Sequence, residues 1–250
     1  MALKKHIPNT ITCLNLLCGT VGVVMACSGK FHLAFYLMIG AALCDFLDGL
    51  AARLLNSYSD KGKELDSLAD VISFGLLPAV MLCLLMKTYC FGTGISQYLC
   101  YVPLLIAPFS GLRLAKFNLD ERQRKSFLGL PTPACAMLCG SLVYYTASSP
   151  ASFLSVWTLG NVFVPVLTLV LCFLLVSEIP MFSMKISRND GLENRKRIAF
   201  GVNLLLVGAI VFILKVNWSM VVLLGFVVYI LMNVVYALIL GEGTHSSKEK

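Results

Sequence analysis

The chain reads as an all-α polytopic membrane protein, a transmembrane helical bundle of about eight spans, and three observations predict that class. Hydrophobic residues fill 58% of its 250 positions and charged ones only 13%, with a mean hydropathy of +0.83, well above the usual range of soluble chains. Apolar runs of about 20 residues, the length that crosses a bilayer's hydrocarbon core, recur from end to end. The basic residues fall almost entirely on one side of those runs.

The expected spans are Ile7 to Cys27, Phe31 to Leu54, Leu65 to Met86, Gln97 to Lys116, Leu130 to Ser148, Val156 to Ser177, Ile198 to Leu214 and Trp218 to Leu240. The first follows Lys4 and Lys5 and superficially resembles a secretory signal. It lacks a small-x-small cleavage site before a soluble domain, and seven further runs follow, so it reads as a retained helix. Polar interruptions at 56–64, 118–126 and 185–196 mark loops, and residues 241–250 form a polar tail. There is no low-complexity tract and no evident repeat, so the chain reads as one membrane domain over residues 1–250.

Placing the amino terminus in the cytoplasm puts seventeen basic residues on that side: Lys4, Lys5, Arg53, Lys61, Lys63, Arg113, Lys116, Arg122, Arg124, Lys125, Lys185, Arg188, Arg195, Lys196, Arg197, Lys248 and Lys250. Only Lys30, Lys87 and Lys215 fall on the other. This positive-inside asymmetry supports the orientation and an even number of spans, with both termini cytoplasmic. It also accounts for the net charge of +7 without a nucleic-acid partner. The ten cysteines lie mostly inside spans and read as small apolar packing residues, Cys135 and Cys139 sharing one helix face. His6, His32 and His245 have no mutual spacing that suggests catalysis.

Against this apolar background, Asp45, Asp48, Asp66 and Asp70 interrupt the second and third spans, and carboxylates are costly in hydrocarbon. Asp45, Asp48, Gly49 and Ala52 fall at i, i+3, i+4 and i+7, one face of a helix, and Asp66 and Asp70 share a face of the next. A short loop makes the two helices antiparallel neighbours, so all four carboxylates are expected to converge at one depth near the cytoplasmic boundary. Four such groups repel unless cations compensate them. Oxygen-only ligands favour magnesium or manganese, and two ions would make a clamp suited to phosphoryl chemistry. Gly49 and Ala52 leave room for a ligand beside the acids, and Arg53 offers a planar fork to phosphate. Ser59 and Gly62 occupy the loop, where they also suit an ordinary turn. A buried charge network or a cation transporter's ion pathway is the competing reading. Transporter acids usually lie at the midplane on discontinuous helices, whereas these lie near a boundary on helices that read as intact.

Taken together these positions spell Asp45-x2-Asp48-Gly49-x2-Ala52-Arg53-x8-Gly62-x3-Asp66-x3-Asp70, which resembles in full the signature of the CDP-alcohol phosphatidyltransferase family. The resemblance implies a six-helix core of about residues 1–185, with extra helices at about 197–240, and usually a homodimer. It implies transfer of a phosphatidyl group from a CDP-linked lipid to an alcohol, with release of CMP. It further implies that Asp45, Asp48, Asp66 and Asp70 bind the metals, with Asp70 also the general base. Gly49, Ala52, Arg53, Ser59 and Gly62 would hold the CDP moiety, and Asn9 and Thr12 match polar positions facing the diphosphate; Asn9 also suits a helix cap. The family often has an amphipathic helix before its first span, and with only Met1 to His6 ahead of that span, little or none is expected.

The segments 66–75, 113–118 and 127–134, with the opening 5–12, resemble the bacterial membrane-embedded phosphatidylserine synthases, one branch of that family. The implied acceptor is L-serine, the implied donor CDP-diacylglycerol, and the implied location the bacterial inner membrane. Serine brings a carboxylate, and Arg113, Lys116 and Asn118 are the candidates to receive it, although the two cations also suit helix-end anchoring. Glycerol 3-phosphate or an inositol compound is the rival acceptor.

Overall fold

A computed structural model describes residues 2–89, 94–119, 127–181 and 191–246. Helices α1 (Ala2–Cys27) and α2 (Phe31–Leu54) form an antiparallel pair turned at Gly29. Helix α3 (Asp60–Asp70) runs without a break into a π-helical segment, Val71–Leu76, and then α4 (Leu77–Tyr89). A 3₁₀ segment, Gly94–Leu105, leads into α5 (Ile106–Leu119); Pro103 within it removes a backbone donor. Then come β1 (Phe127–Leu128), α6 (Thr132–Ser148), α7 (Phe153–Thr158), α8 (Phe163–Val176), β2 (Pro180–Met181), α9 (Gly191–Ile213) and α10 (Ser219–Ser246).

Among the described residues, five helical stretches are long and apolar enough to cross a membrane: His6–Cys27, Phe31–Leu54, Asp60–Thr88, Gln97–Leu119 and Ser219–Ala237. The chain is therefore an all-α polytopic membrane protein, with shorter helices completing the bundle. The expected sixth span is not one helix. Gly160 and Asn161 break it, Ser152 caps α7 by accepting a hydrogen bond from Ser155 N, and α8 keeps only 14 residues. The third span also departs from the intact α-helix expected, because its hydrogen bonding turns π immediately after Asp70.

The third span is the bundle's axis. Its apolar window is 67% buried, against 22–33% for the other four, and with α6 it supplies most of the core: Phe74, Leu77, Met81, Leu82 and Leu85 against Cys135, Cys139 and Leu142. Helix α1 meets it along Pro8, Thr12, Asn15, Gly19, Gly22 and Ala26, buried positions spaced alternately by four and three. That spacing keeps one stripe of a helix on its neighbour. Gly19 is needed there, since a Cβ would sit 2.8 Å from Ser73 Cα. Small residues let helices approach closely where lipid supplies no hydrophobic drive.

A second fixed point lies before α6. Gly129 has φ +76° and its amide donates to Ile179 O (2.9 Å), while Leu130 N donates to Leu174 O (2.9 Å), pinning this segment to the end of α8. Strands β1 and β2 pair antiparallel beside it. Helix α10 packs along α6 and against α9.

Candidate active site

Helices α2 and α3 bring Asp45, Asp48 and Asp66 together, with one oxygen from each lying within 4.8 Å of the others. The four-way convergence expected from spacing is only partly met. Asp70 stands one helical turn along α3, outside this triad but within electrostatic range of all three members. It is buried, as is Asp48.

Two residues of α1 reach across to these acids. Thr12 Oγ1 donates to Asp48 Oδ2 at 2.6 Å, with Pro8 O at 3.1 Å as its other neighbour. Asn15 Nδ2 donates to Asp70 Oδ1 at 3.3 Å, and Ser73 Oγ donates to the Asn15 carbonyl at 3.0 Å. Asn15 was not among the residues expected from sequence. Its signal was the buried stripe on α1, in which it follows Thr12 by three positions.

Beside the triad opens a cavity of about 200 Å³, lined by Asn9, Thr12, Asp48, Gly49, Ala52, Ser59, Gly62 and Asp66, together with Pro8, Ser57, Tyr58 and Lys63. Eight residues chosen from sequence therefore share one cavity. A Cβ on Gly49 would meet nothing nearer than Arg53 Nη2 at 3.9 Å, so packing within the protein does not explain this glycine; room in the cavity does. Ser59 caps α3 by accepting from Gly62 N at 3.1 Å, which joins the turn role to a place on the wall. Arg53 is exposed and folds back, Nε donating to Gly49 O at 2.9 Å. Lys63, which periodicity could not single out, lines the cavity and donates to Asn118 O at 3.1 Å.

The three residues expected to receive the acceptor separate. Arg113 is buried, donates from Nη1 to Thr132 Oγ1 at 3.1 Å, lies 5.4 Å from the Phe117 ring centre, and is within electrostatic range of Asp70. Lys116 instead makes a surface ion pair with Glu178 at 3.3 Å. Asn118 Nδ2 donates to Ser67 Oγ at 2.8 Å, tying the end of α5 to α3 beside Asp66. Of the seventeen basic residues assigned to one side, the side chains of Lys4, Lys5, Arg122, Arg124, Lys125, Lys185, Arg188, Arg195, Lys196, Arg197, Lys248 and Lys250 lie outside the described residues.

The acidic triad fits a metal. Three carboxylate groups offer hard oxygen ligands, and Asp66 Oδ1 is buried with no hydrogen-bond partner, a lone pair left for a cation.

Fold and site together define a polytopic membrane protein with an acidic, metal-competent centre at one end of its bundle. Residues 5–176 match the model of the CDP-alcohol phosphatidyltransferase family. The CDP-diacylglycerol–serine O-phosphatidyltransferase of Bacillus subtilis is 33% identical over 190 residues, 76% of this chain and 97% of that protein. A Helicobacter pylori protein of the same name is 36% identical over 133 residues, 52% of this chain and 54% of its own. An archaetidylserine synthase of Methanothermobacter thermautotrophicus is 32% identical over 141 residues, 54% and 56% of the respective chains. The chain belongs to the CDP-alcohol phosphatidyltransferase family, and it is a phosphatidyltransferase. The family match ends with α8, leaving α9 and α10 beyond it.

Proposed function

We propose that this enzyme transfers the phosphatidyl group of CDP-diacylglycerol to the hydroxyl of L-serine, forming phosphatidylserine and CMP. One observation carries the reading: the triad Asp45, Asp48 and Asp66 opens through Asp48 and Asp66 on a cavity walled by the signature's small residues, with Asp70 one turn further along α3 and the buried Arg113 within electrostatic range of Asp70. The names of the relatives support serine as acceptor. Among the described residues Arg113 is the one buried cation, which suits an acceptor with a single carboxylate better than a phosphorylated one such as glycerol 3-phosphate.

Asp45, Asp48 and Asp66, with Asp70, would hold magnesium or manganese, two ions in our reading. A divalent metal there would draw charge from the diphosphate and stabilise departing CMP. The residues do the rest. Gly49, Ala52, Gly62 and Ser59 admit the CDP moiety, with Asn9 facing the diphosphate, and Arg53 leaves the Gly49 carbonyl to pair with phosphate. Thr12 holds Asp48 in register. Arg113 binds the serine carboxylate, Lys116 adds positive charge at the rim, and Asn118 holds α5 against α3. The serine hydroxyl oxygen forms a bond to the lipid-bearing phosphorus as the bond to the CMP oxygen breaks, and its proton passes to Asp70. No covalent enzyme intermediate is required. We also read the chain as one membrane domain with a family core and two added helices, homodimeric, in a bacterial inner membrane with its site facing the cytoplasm.

Purified protein, labelled CDP-diacylglycerol and a panel of serine, glycerol 3-phosphate and inositol test the reading. Serine-dependent CMP release should stop with a chelator and return with magnesium or manganese. Release favouring another alcohol would sink the acceptor assignment, and a trapped phosphatidyl-enzyme would sink direct displacement.

A further inference from the structure

Asp70 lies between two helices that each leave buried polar atoms without a hydrogen-bond partner. On α1, Asn15 is fully buried; its amide nitrogen is used on Asp70, while its Oδ1 has no partner. On α5, Arg113 uses Nη1 on Thr132, but its Nε has none. One turn along α5, fully buried Ser110 also leaves Oγ unpaired, packed against Gly75 in the π-helical segment that follows Asp70. Such orphans cost free energy, so they are scarce unless something else pairs with them.

Their chemistry divides by helix. Asn15 Oδ1 can only accept, Arg113 Nε–H can only donate, and a serine hydroxyl can donate. The complementary molecule carries a cationic donor toward α1 and an anionic acceptor toward α5, with its reacting group near Asp70. An amino acid with a side-chain hydroxyl has those three groups.

We infer that Asn15 receives the ammonium of the acceptor, while Ser110 joins Arg113 in holding its carboxylate, so that the enzyme selects a zwitterion with its hydroxyl presented to Asp70. This rests on an amino acid being the acceptor. It adds two specificity residues outside the signature, and it gives the stripe on α1 a role in substrate choice as well as in packing.

Three acceptors separate the groups: L-serine, 3-hydroxypropanoate, which lacks the ammonium, and ethanolamine, which lacks the carboxylate. Asn15→Ala should raise the serine KM about 10- to 100-fold, the range for a hydrogen bond to a charged group, with the CDP-diacylglycerol KM unmoved. Its preference for serine over 3-hydroxypropanoate should shrink accordingly. Ser110→Ala removes an unpaired hydroxyl, so its melting temperature should not fall, and it leaves the Asn15–Asp70 bond alone. It should raise the serine KM about 3- to 10-fold and narrow the preference for serine over ethanolamine.

If the serine KM stays within twofold of the unmodified enzyme in both variants, the inference is overturned. The same holds if Asn15→Ala lowers kcat equally for serine and 3-hydroxypropanoate, because Asn15 then only steadies Asp70. An unmodified enzyme that releases no CMP with serine would overturn the acceptor assignment itself, and this inference with it.

Discussion

Helix α2 carries two polar clusters that obey opposite rules. Near its start, His32 Nε2 meets Ser148 Oγ at 2.8 Å and the Tyr36 hydroxyl meets that of Tyr144 at 2.9 Å. Trp218 closes the group, nearly parallel to Tyr36 (13°, centroids 6.1 Å apart) and edge-on to Tyr144 (5.1 Å). Near its other end, Asp45 and Asp48 face Asp66 and Asp70, where like charges are gathered and buried oxygens are left unpaired. The first arrangement pairs these side chains and holds α10 to the core through Trp218, the residue just before it. The second spends stability to keep groups available. Buried hydroxyls of Thr146, Thr168 and Ser219 are also unpaired away from the acids, so the mark of the site is unsatisfied polarity joined to gathered like charge, and the mark of the joint is paired side chains.

The widest gap between the two clusters should come from Asp70→Asn. Losing the proton acceptor should lower kcat about 10²- to 10⁴-fold, the usual worth of general-base catalysis. Removing one of four crowded acids should leave the melting temperature unchanged or higher. Activity within tenfold of the unmodified enzyme would remove Asp70 from the base role. Next in size is a pair of glycine variants. Gly49→Val projects into the cavity and meets little protein, so the CDP-diacylglycerol KM should rise at least about tenfold, the scale of a lost close contact, at unchanged melting temperature. Gly19→Val instead drives a side chain into Ser73, and should cost about 1–3 kcal/mol of stability through overpacking. Equal losses of stability in the two would mean that Gly49 is a packing glycine after all.

How far the sequence made this legible depends on distance along the chain. The cluster of Asp45, Asp48 and Asp66 follows from helical spacing plus one short loop, so periodicity was enough. Asp70 stands apart for a reason in the same geometry: a residue four positions on is displaced by a full turn, about 6 Å along the axis, so all four acids cannot share one depth. The π-helical segment was invisible, because Val71 to Leu76 reads as ordinary apolar helix. The break at Gly160 and Asn161 was hidden by the apolar runs on both sides. Lys116 was the hardest to place, since its partner Glu178 lies 62 positions away and only the folded chain brings them together.

The joint supplies the smaller predictions. Trp218→Ala removes the ring that Phe35, Tyr36 and Tyr144 share. Aromatic pairs contribute about 0.5–1.5 kcal/mol each beyond burial, so the melting temperature should fall while the serine KM holds. A rise in serine KM would mean that docking of α10 reaches the acid site. Tyr36→Phe is gentler and more telling. It keeps the ring on Trp218 and deletes only the hydroxyl shared with Tyr144, a loss of about 0.5–1.5 kcal/mol in stability. The Tyr144 hydroxyl then becomes an unpaired polar group at the joint, the condition met by Asn15 and Ser110 at the other cluster. A stability loss here, set against none for Ser110→Ala, would show that the two ends differ in whether the folded protein itself supplies the partner. Equal effects would dissolve the distinction between joint and site.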